Sequence, residues 1–239
     1  QAVGAAFVLK KRENGSLVYV SSGEGTVSQG DFHEALNWAS REKAPVVFHI
    51  ENNNYAISVP IEDQISGSSV YDITSGYDSL LRYDIDGCNF FESALAFSKA
   101  FERTRNGKGP SLIVSNVVRL LPHSSSDDHS KYRDLKAIDD DKKKDPINLF
   151  IRKCTKKHNI NKKDFEKIDI SADKEVEKSL DWALEQEEPD KNSYKEHLLA
   201  EDWSIPNNDE PLYISDKIVM VDAINHALSE ELAFNEKMV

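Results

Sequence analysis

The chain is expected to be an α/β protein with a mostly parallel sheet flanked by helices. Short β-branched runs alternate with amphipathic ones, polar loops follow the strands, and turn residues close the helices. Leu17-Val18-Tyr19-Val20-Ser21 is the first β-rich run. Ser28 to Lys43 follows at helical spacing, with Phe32, Leu36 and Ala39 on one stripe and Ser28 and Asp31 as a capping pair. Pro45 to Ile50 is short, apolar and β-branched, which marks a buried strand. Strand, helix and strand in this order predict a right-handed crossover between parallel strands.

The later elements repeat the pattern. Ser66 to Gly76 is rich in glycine and serine and reads as an irregular connection. Asn89 to Arg105 is an amphipathic helix with Phe90, Ala94, Phe97 and Phe101 on one side, stopped by Asn106-Gly107-Lys108-Gly109-Pro110. Leu112-Ile113-Val114 is the next buried strand, and a loop runs from Arg119 to Arg133. Asp139 to Asp145 is almost entirely charged and reads as a solvated, mobile turn without function. Helices are expected over Pro146–Cys154 and Phe165–Gln186.

Composition narrows the function. At 239 residues the chain can bury one substantial core. Its net charge of −12 leaves no basic stripe for nucleic acid. Cys88 and Cys154 lie far apart without metal-ligand spacing, so a reduced cytoplasm is the expected setting. No run is long and apolar enough to span a bilayer, and no signal peptide is visible.

The chemistry concentrates in two loops. Gly23-Glu24-Gly25 and Asn52-Asn53-Asn54-Tyr55 each follow a strand, at the carboxyl edge where open α/β sheets bind ligands. A hard divalent cation, magnesium or calcium, takes about six oxygen ligands. Glu24 can give a carboxylate, Asn53 a side-chain carbonyl and Tyr55 a backbone carbonyl. A diphosphate and a water would complete the shell. Gly23 and Gly25 let backbone approach phosphate, and the 28–43 helix start offers free N–H groups. On the residues alone, two ordinary polar loops remain the alternative. Ser, His and Asp in the 119–133 loop raise a hydrolase triad, but the Gly-x-Ser-x-Gly elbow is absent and such loops commonly bond their own backbone. His33, on a helix, and His49, in a buried strand, read as structural histidines.

The segment GEGTVSQGDFHEALNWASREKAPVVFHIENNNYAIS closely resembles the thiamin diphosphate motif of 2-oxoacid dehydrogenases. Tyr83-Asp84-Ile85-Asp86-Gly87 resembles that family's "VDGND" strand end. Pro122-His123-Ser124-Ser125-Ser126-Asp127-Asp128 with Tyr132-Arg133 resembles its "HSTSDD…YR" active-site loop. The likeness is to the α subunit of the decarboxylating component, and GEG in place of GDG leans to the branched-chain type. The resemblance implies a thiamin diphosphate-binding fold, truncated at both ends. It implies Glu24, Asn53 and Tyr55 as magnesium ligands, with Gly23, Gly25 and Thr26 beside the diphosphate. It also places His123 near the cofactor phosphates and reacting centre, Arg119 near the substrate channel, and Ser124 at the loop serine phosphorylated in mitochondrial relatives. One departure stands out: relatives often carry a basic residue where this chain has Glu51, and a carboxylate there repels diphosphate unless it points away.

The implied reaction is oxidative decarboxylation of a branched-chain 2-oxoacid such as 3-methyl-2-oxobutanoate, with acyl transfer to lipoyl groups of a partner acyltransferase. A pyruvate dehydrogenase, or a scaffold that has kept the fold and lost the cofactor, is the alternative. The other half of the site is expected from a β-type pyrimidine-binding domain. Gln1 to Phe7 reads as mid-helix, and Lys217 to Leu232 resembles the start of the β subunit, with Val221, Ile224 and Leu228 on one stripe. These features suggest a fragment of a fused α–β chain, inactive alone, whose parent is a homo-oligomer. Residues 1–186 are then an α-type diphosphate- and metal-binding domain, 187–214 a linker, and 215–239 the start of the β-like part.

Overall fold

The computed structural model describes residues 1–12, 15–67, 69–158, 160–196, 198 and 218–235. The chain divides into two compact units, Gln1–Glu166 and Lys167–Val239. In the first unit helix α1 (Ala2–Arg12) leads into strand β1 (Val18–Gly23) and a 3-10 turn at Glu24–Ser28. Helix α2 (Gly30–Glu42), strand β2 (Val46–Asn52) and a two-stranded ribbon, β3 (Tyr55–Ala56) with β4 (Val59–Pro60), follow. Then come α3 (Val70–Ile73), β5 (Leu81–Asp86), α4 (Phe90–Arg105) and β6 (Ser111–Asn116). Helices α5 (Leu135–Lys142) and α6 (Pro146–His158) close the unit, and α7 (Lys162–Leu184) starts in it.

The main sheet is parallel throughout, in the order β1-β2-β6-β5. β2 and β6 sit at its centre and are apolar on both faces, as expected of strands covered on both sides. Strand alternation divides β2 between two cores. Val46, Phe48 and Ile50 face α1 and α2, where Val3, Ala6, Phe32, Leu36 and Ala39 are buried with Leu112 and Val114. Val47 faces the other way and joins Ile113, Ile85, and Ala96 and Ala100 of α4. Leu36 is wholly buried at the centre of the first core. Leu36→Ala is expected to cost about 2–5 kcal/mol, because lost transfer energy and a residual cavity add; urea denaturation measures it.

Four local expectations are corrected. Gln29, not Ser28, precedes α2, and no side chain caps it, because the 3-10 turn absorbs Ser28. Phe90 and Ala94 are exposed rather than core-facing: α4 buries Ala96, Ala100 and Thr104, with Phe97 and Phe101 half-buried. Phe90 packs instead edge-on to Phe150 of α6, ring centroids 4.8 Å apart. The irregular connection at 66–76 contains α3, capped by Ser69, with Val70 and Thr74 buried. The charged run at 139–145 is not simply a turn: α5 passes through it as far as Lys142. Asp134 caps that helix by accepting from the Lys136 and Ala137 amides, and Ile138 anchors it.

In the second unit, α7 exposes Ile168, Val176, Leu180 and Trp182. Helix α8 (Met220–Phe234) carries the expected Val221, Ile224 and Leu228 stripe, all three exposed. Of the linker expected at 187–214, residues 187–196 and 198 are described and the rest lies outside the described residues, as do 215–217 and 236–239. No helix among the described residues is long and apolar enough to cross a membrane.

Candidate functional site

The parallel sheet brings the two oxygen-rich loops together. Gly23 pairs in register with Glu51, so the turn after β1 lies beside the end of β2. Glu24 folds inward and is 2% exposed, and its Oε2 accepts the Asn53 backbone N–H at 3.1 Å. A buried carboxylate and an asparagine 29 residues apart are thereby joined. The Asn53 Oδ1 is buried with no hydrogen-bond partner. Buried side-chain oxygens are nearly always satisfied, and this one keeps its lone pairs available to a donor or a cation. The Tyr55 carbonyl follows, and its register partner, Pro60, has no N–H to offer it.

The loop glycines differ in what they do. A Cβ on Gly25 would stand 2.7 Å from Ala56 Cβ, so this glycine lets the turn pack against the ribbon. At Gly23 the nearest atom to such a Cβ is the Glu51 carbonyl oxygen, at 4.0 Å. Thr26 Oγ1 donates to the Gly23 carbonyl at 2.7 Å and closes the turn on itself.

Polar bonds lace the strand ends. Asn52 Oδ1 accepts from the Asn54 amide, and its Nδ2 donates to Asn116 Oδ1 at 3.0 Å. The Asn116 amide nitrogen then donates to Asp84 Oδ1 at 2.7 Å. This ladder ties β2, β6 and β5 at the edge that carries the site, and Asn54 turns into the ribbon through a left-handed conformation (φ 68°) that asparagine tolerates.

On the α4 face, His49 is a satisfied structural residue. Its Nδ1 bonds Tyr19 Oη at 2.8 Å and its Nε2 bonds Ser115 Oγ at 2.9 Å. The exposed Glu51 carboxylate lies 3.9 Å from the same Nδ1, so it turns along this face towards His49. Burial pushes the His49 imidazole below its ordinary value of 6.5, against the raising effect of Glu51. The unfolded chain therefore binds the extra proton, so stability is full above pH 6.5 and is lost as pH falls through that value towards the folded one. His49→Gln is expected to flatten this part of the stability–pH curve, read from denaturation midpoints at pH 7, 6 and 5.

The 119–133 loop reaches the site through its arginines. Arg119 donates from Nη1 to the Ile57 carbonyl at the ribbon tip and from Nη2 to Tyr132 Oη, each at 2.6 Å. Tyr132 donates to Asp127 Oδ2 at 2.6 Å, which also accepts the His123 backbone N–H at 2.8 Å. The Tyr132 and His123 bonds hold the Asp127 carboxyl below its usual range. Desolvation and the Asp127 bond push the Tyr132 hydroxyl up, so it remains a donor at neutral pH.

A cavity of about 770 Å³ opens where Asn53, Asn54 and Tyr55 meet Asp86, Asn116 and Arg133. Tyr55 and Asn53 line it; Glu24, Arg119, His123 and Ser124 do not. The structure thus joins Glu24, Asn53 and Tyr55, with Gly23, Gly25 and Thr26 on the same turn and Arg119 against the ribbon. His123 is exposed, outside the cavity and tied to the network by its backbone N–H. Ser124 is also exposed, with its hydroxyl 3.2 Å from that of Ser126. Arg133, Asp141, Asn52 and Asn116 were given no role from the sequence. Arg133 had a signal in the Tyr132-Arg133 pair and Asn52 in the Asn52-Asn53-Asn54-Tyr55 loop, whereas nothing singled out Asp141 or Asn116.

The donors suit a hard cation: one carboxylate, one amide oxygen and one peptide carbonyl. Among the described residues there is no cluster of three or more His, Cys, Asp or Glu side chains that could hold a metal. A cation here would therefore depend on added anionic oxygens, as a diphosphate provides. Cys88 and Cys154 are free and buried, and burial pushes the Cys88 thiol up, away from nucleophilic use.

A family model for the dehydrogenase E1 component matches residues 1–192. The 2-oxoisovalerate dehydrogenase subunit alpha of Bacillus subtilis (strain 168) is 41% identical over 146 residues, which is 61% of this chain and 44% of that protein. The pyruvate dehydrogenase E1 component subunit alpha of the same strain is 36% identical over 153 residues, 63% of this chain and 40% of that protein. The 3-methyl-2-oxobutanoate dehydrogenase subunit alpha of Mycobacterium tuberculosis (strain CDC 1551 / Oshkosh) is 36% identical over 146 residues, 61% of this chain and 40% of that protein. The chain spans 40 to 44% of the length of these relatives.

Proposed function

This chain belongs to the dehydrogenase E1 component family, and from that premise we propose that it forms the diphosphate- and metal-binding half of a thiamin diphosphate-dependent branched-chain 2-oxoacid dehydrogenase. One observation carries the reading: buried Glu24 is bonded to the Asn53 backbone while the Asn53 side-chain oxygen is buried and without a partner. Magnesium would satisfy both.

Glu24, Asn53 and the Tyr55 carbonyl would hold the magnesium, and Gly23, Gly25 and Thr26 would lie beside the diphosphate. Thiamin diphosphate, when bound, supplies the nucleophilic carbon and electron sink that decarboxylation of a 2-oxoacid requires. Arg119 braces the ribbon that carries Tyr55. His123, on an exposed loop, would face the second domain and serve there in proton transfer. A phosphate on Ser124 would add negative charge to this loop. The partners of this reading are a β-type pyrimidine-binding domain, for which residues 215–239 form the start, and a lipoyl acyltransferase. The substrate is 3-methyl-2-oxobutanoate, a choice supported by Glu24 within GEG and by two of the three relatives above. Pyruvate is the competing substrate, favoured by the third.

The test is decarboxylation by the full-length gene product with thiamin diphosphate, magnesium and an artificial electron acceptor, comparing 3-methyl-2-oxobutanoate with pyruvate. A higher kcat/KM for the branched acid is expected. Preference for pyruvate would replace the substrate assignment. Turnover of neither acid by folded protein would leave a non-catalytic scaffold as the better reading.

A further inference from the structure

Arg133 is 6% exposed, and its charge is matched by Asp141 of α5, with Nη2 2.5 Å from Oδ2. Its Nη1 donates to the Arg119 carbonyl at 2.9 Å, and the guanidinium lies over the Tyr55 ring, 5.3 Å from the centroid. Arg119 lies over the same ring at the same distance. Arg119 also holds the carbonyl of Ile57, a β-branched residue in the left-handed region (φ 55°), where such residues are strained. The ribbon is therefore not at rest by itself: two guanidinium groups fix the Tyr55 ring, and one of them pins the strained turn that follows. Both groups have their terminal nitrogens engaged with protein and leave a buried Nε without a partner. Neither is arranged to take a substrate carboxylate in two-pronged fashion.

We propose that Arg133, held by Asp141, is a positioning residue for the metal site. It sets the Tyr55 ring, and through it the backbone carbonyl that Tyr55 would offer to the cation, and it joins α5 and the 119–133 loop to that ligand. The inference rests on the assignment of Tyr55 as a metal ligand above. It also accounts for the charged run at 139–145. Asp141 is the residue of that run that turns inward, whereas Asp139 and Asp140 pair with Lys142 and Lys143 on the exposed side.

The experiment uses the full-length gene product, with Mn²⁺ as the probe in the presence of thiamin diphosphate. Free Mn²⁺ is read by electron paramagnetic resonance well below the melting temperature. Arg133→Lys keeps the charge and loses the fork; Asp141→Asn keeps the shape and loses the charge. Each is expected to weaken Mn²⁺ binding about 10–100-fold, as loss of a partner that orients a ligand does. The double variant should weaken it no further than the worse single one, since both act through one pair. Asp140→Asn, on the exposed side of α5, should leave affinity unchanged. Lower melting temperatures for Arg133→Lys and Asp141→Asn with unchanged Mn²⁺ affinity would make the pair merely structural and overturn the inference. If Glu24→Ala abolishes binding while both pair variants bind normally, the metal site stands and this inference falls. No Mn²⁺ binding by the unaltered protein would overturn both.

Discussion

Glu24→Ala is expected to weaken thiamin diphosphate-dependent Mn²⁺ binding by more than about 100-fold, beyond the usual cost of losing an outer-shell partner. Glu24 is the only carboxylate among the three candidate ligands, so its loss removes the charge that a divalent ion needs most. Stability should fall as well, by about 1–3 kcal/mol, because the Asn53 amide loses its acceptor. Glu24→Gln separates the two effects. The amide oxygen still accepts from Asn53, so denaturation should stay within about 1 kcal/mol of the parent. The charge is gone, so the metal should still be lost. A Glu24→Gln protein that binds Mn²⁺ as the parent does would show that Glu24 is a structural carboxylate only.

Gly25→Ala is expected to destabilise the chain by about 1–3 kcal/mol, the usual range for overpacking. The added Cβ would meet Ala56 Cβ at 2.7 Å, and neither atom sits on a flexible side chain that can swing away. The ribbon would have to move, and Tyr55 is its first residue. Mn²⁺ binding should weaken with it. Ala56→Gly removes the atom that is struck; the next contacts, at 3.5 and 3.7 Å, are ordinary packing distances. The double variant should therefore recover most of the metal affinity. It should keep a stability loss of about 0.5–1 kcal/mol for glycine in a strand. Urea denaturation with Mn²⁺ titration on both variants measures this. Failure of Ala56→Gly to restore affinity would mean that Gly25 matters for phosphate approach rather than for seating the ribbon.

The main sheet and the meeting of the two polar loops on one edge were legible because both rest on local patterns. Val46 to Ile50 is apolar and β-branched over a strand's length, and Phe32, Leu36 and Ala39 recur at helical spacing, so burial follows from periodicity. The two loops could be placed on one edge because strand, helix and strand fix the direction of both strands. Helix α5 was hidden for the opposite reason. It buries only Ile138, and its charges obscure any period. Its stability comes from Asp134 at the cap and from Asp141 reaching back to Arg133, a contact that composition cannot show. The α4 face was misjudged because four apolar residues met the spacing rule, yet Phe90 found an aromatic partner on α6 instead of the sheet.

Residue order fixed the parallel sheet and the two oxygen-rich loops, because these depend on spacing and on the chemistry carried by each residue. Packing fixed the rest. It buried the Glu24 carboxylate against Asn53, left one amide oxygen without a partner, turned Glu51 towards His49, and placed Arg119 and Arg133 over Tyr55. Each of these joins residues far apart in the chain or selects one face of a strand. Distance and burial are properties of the packed chain, and no local pattern of residues encodes them.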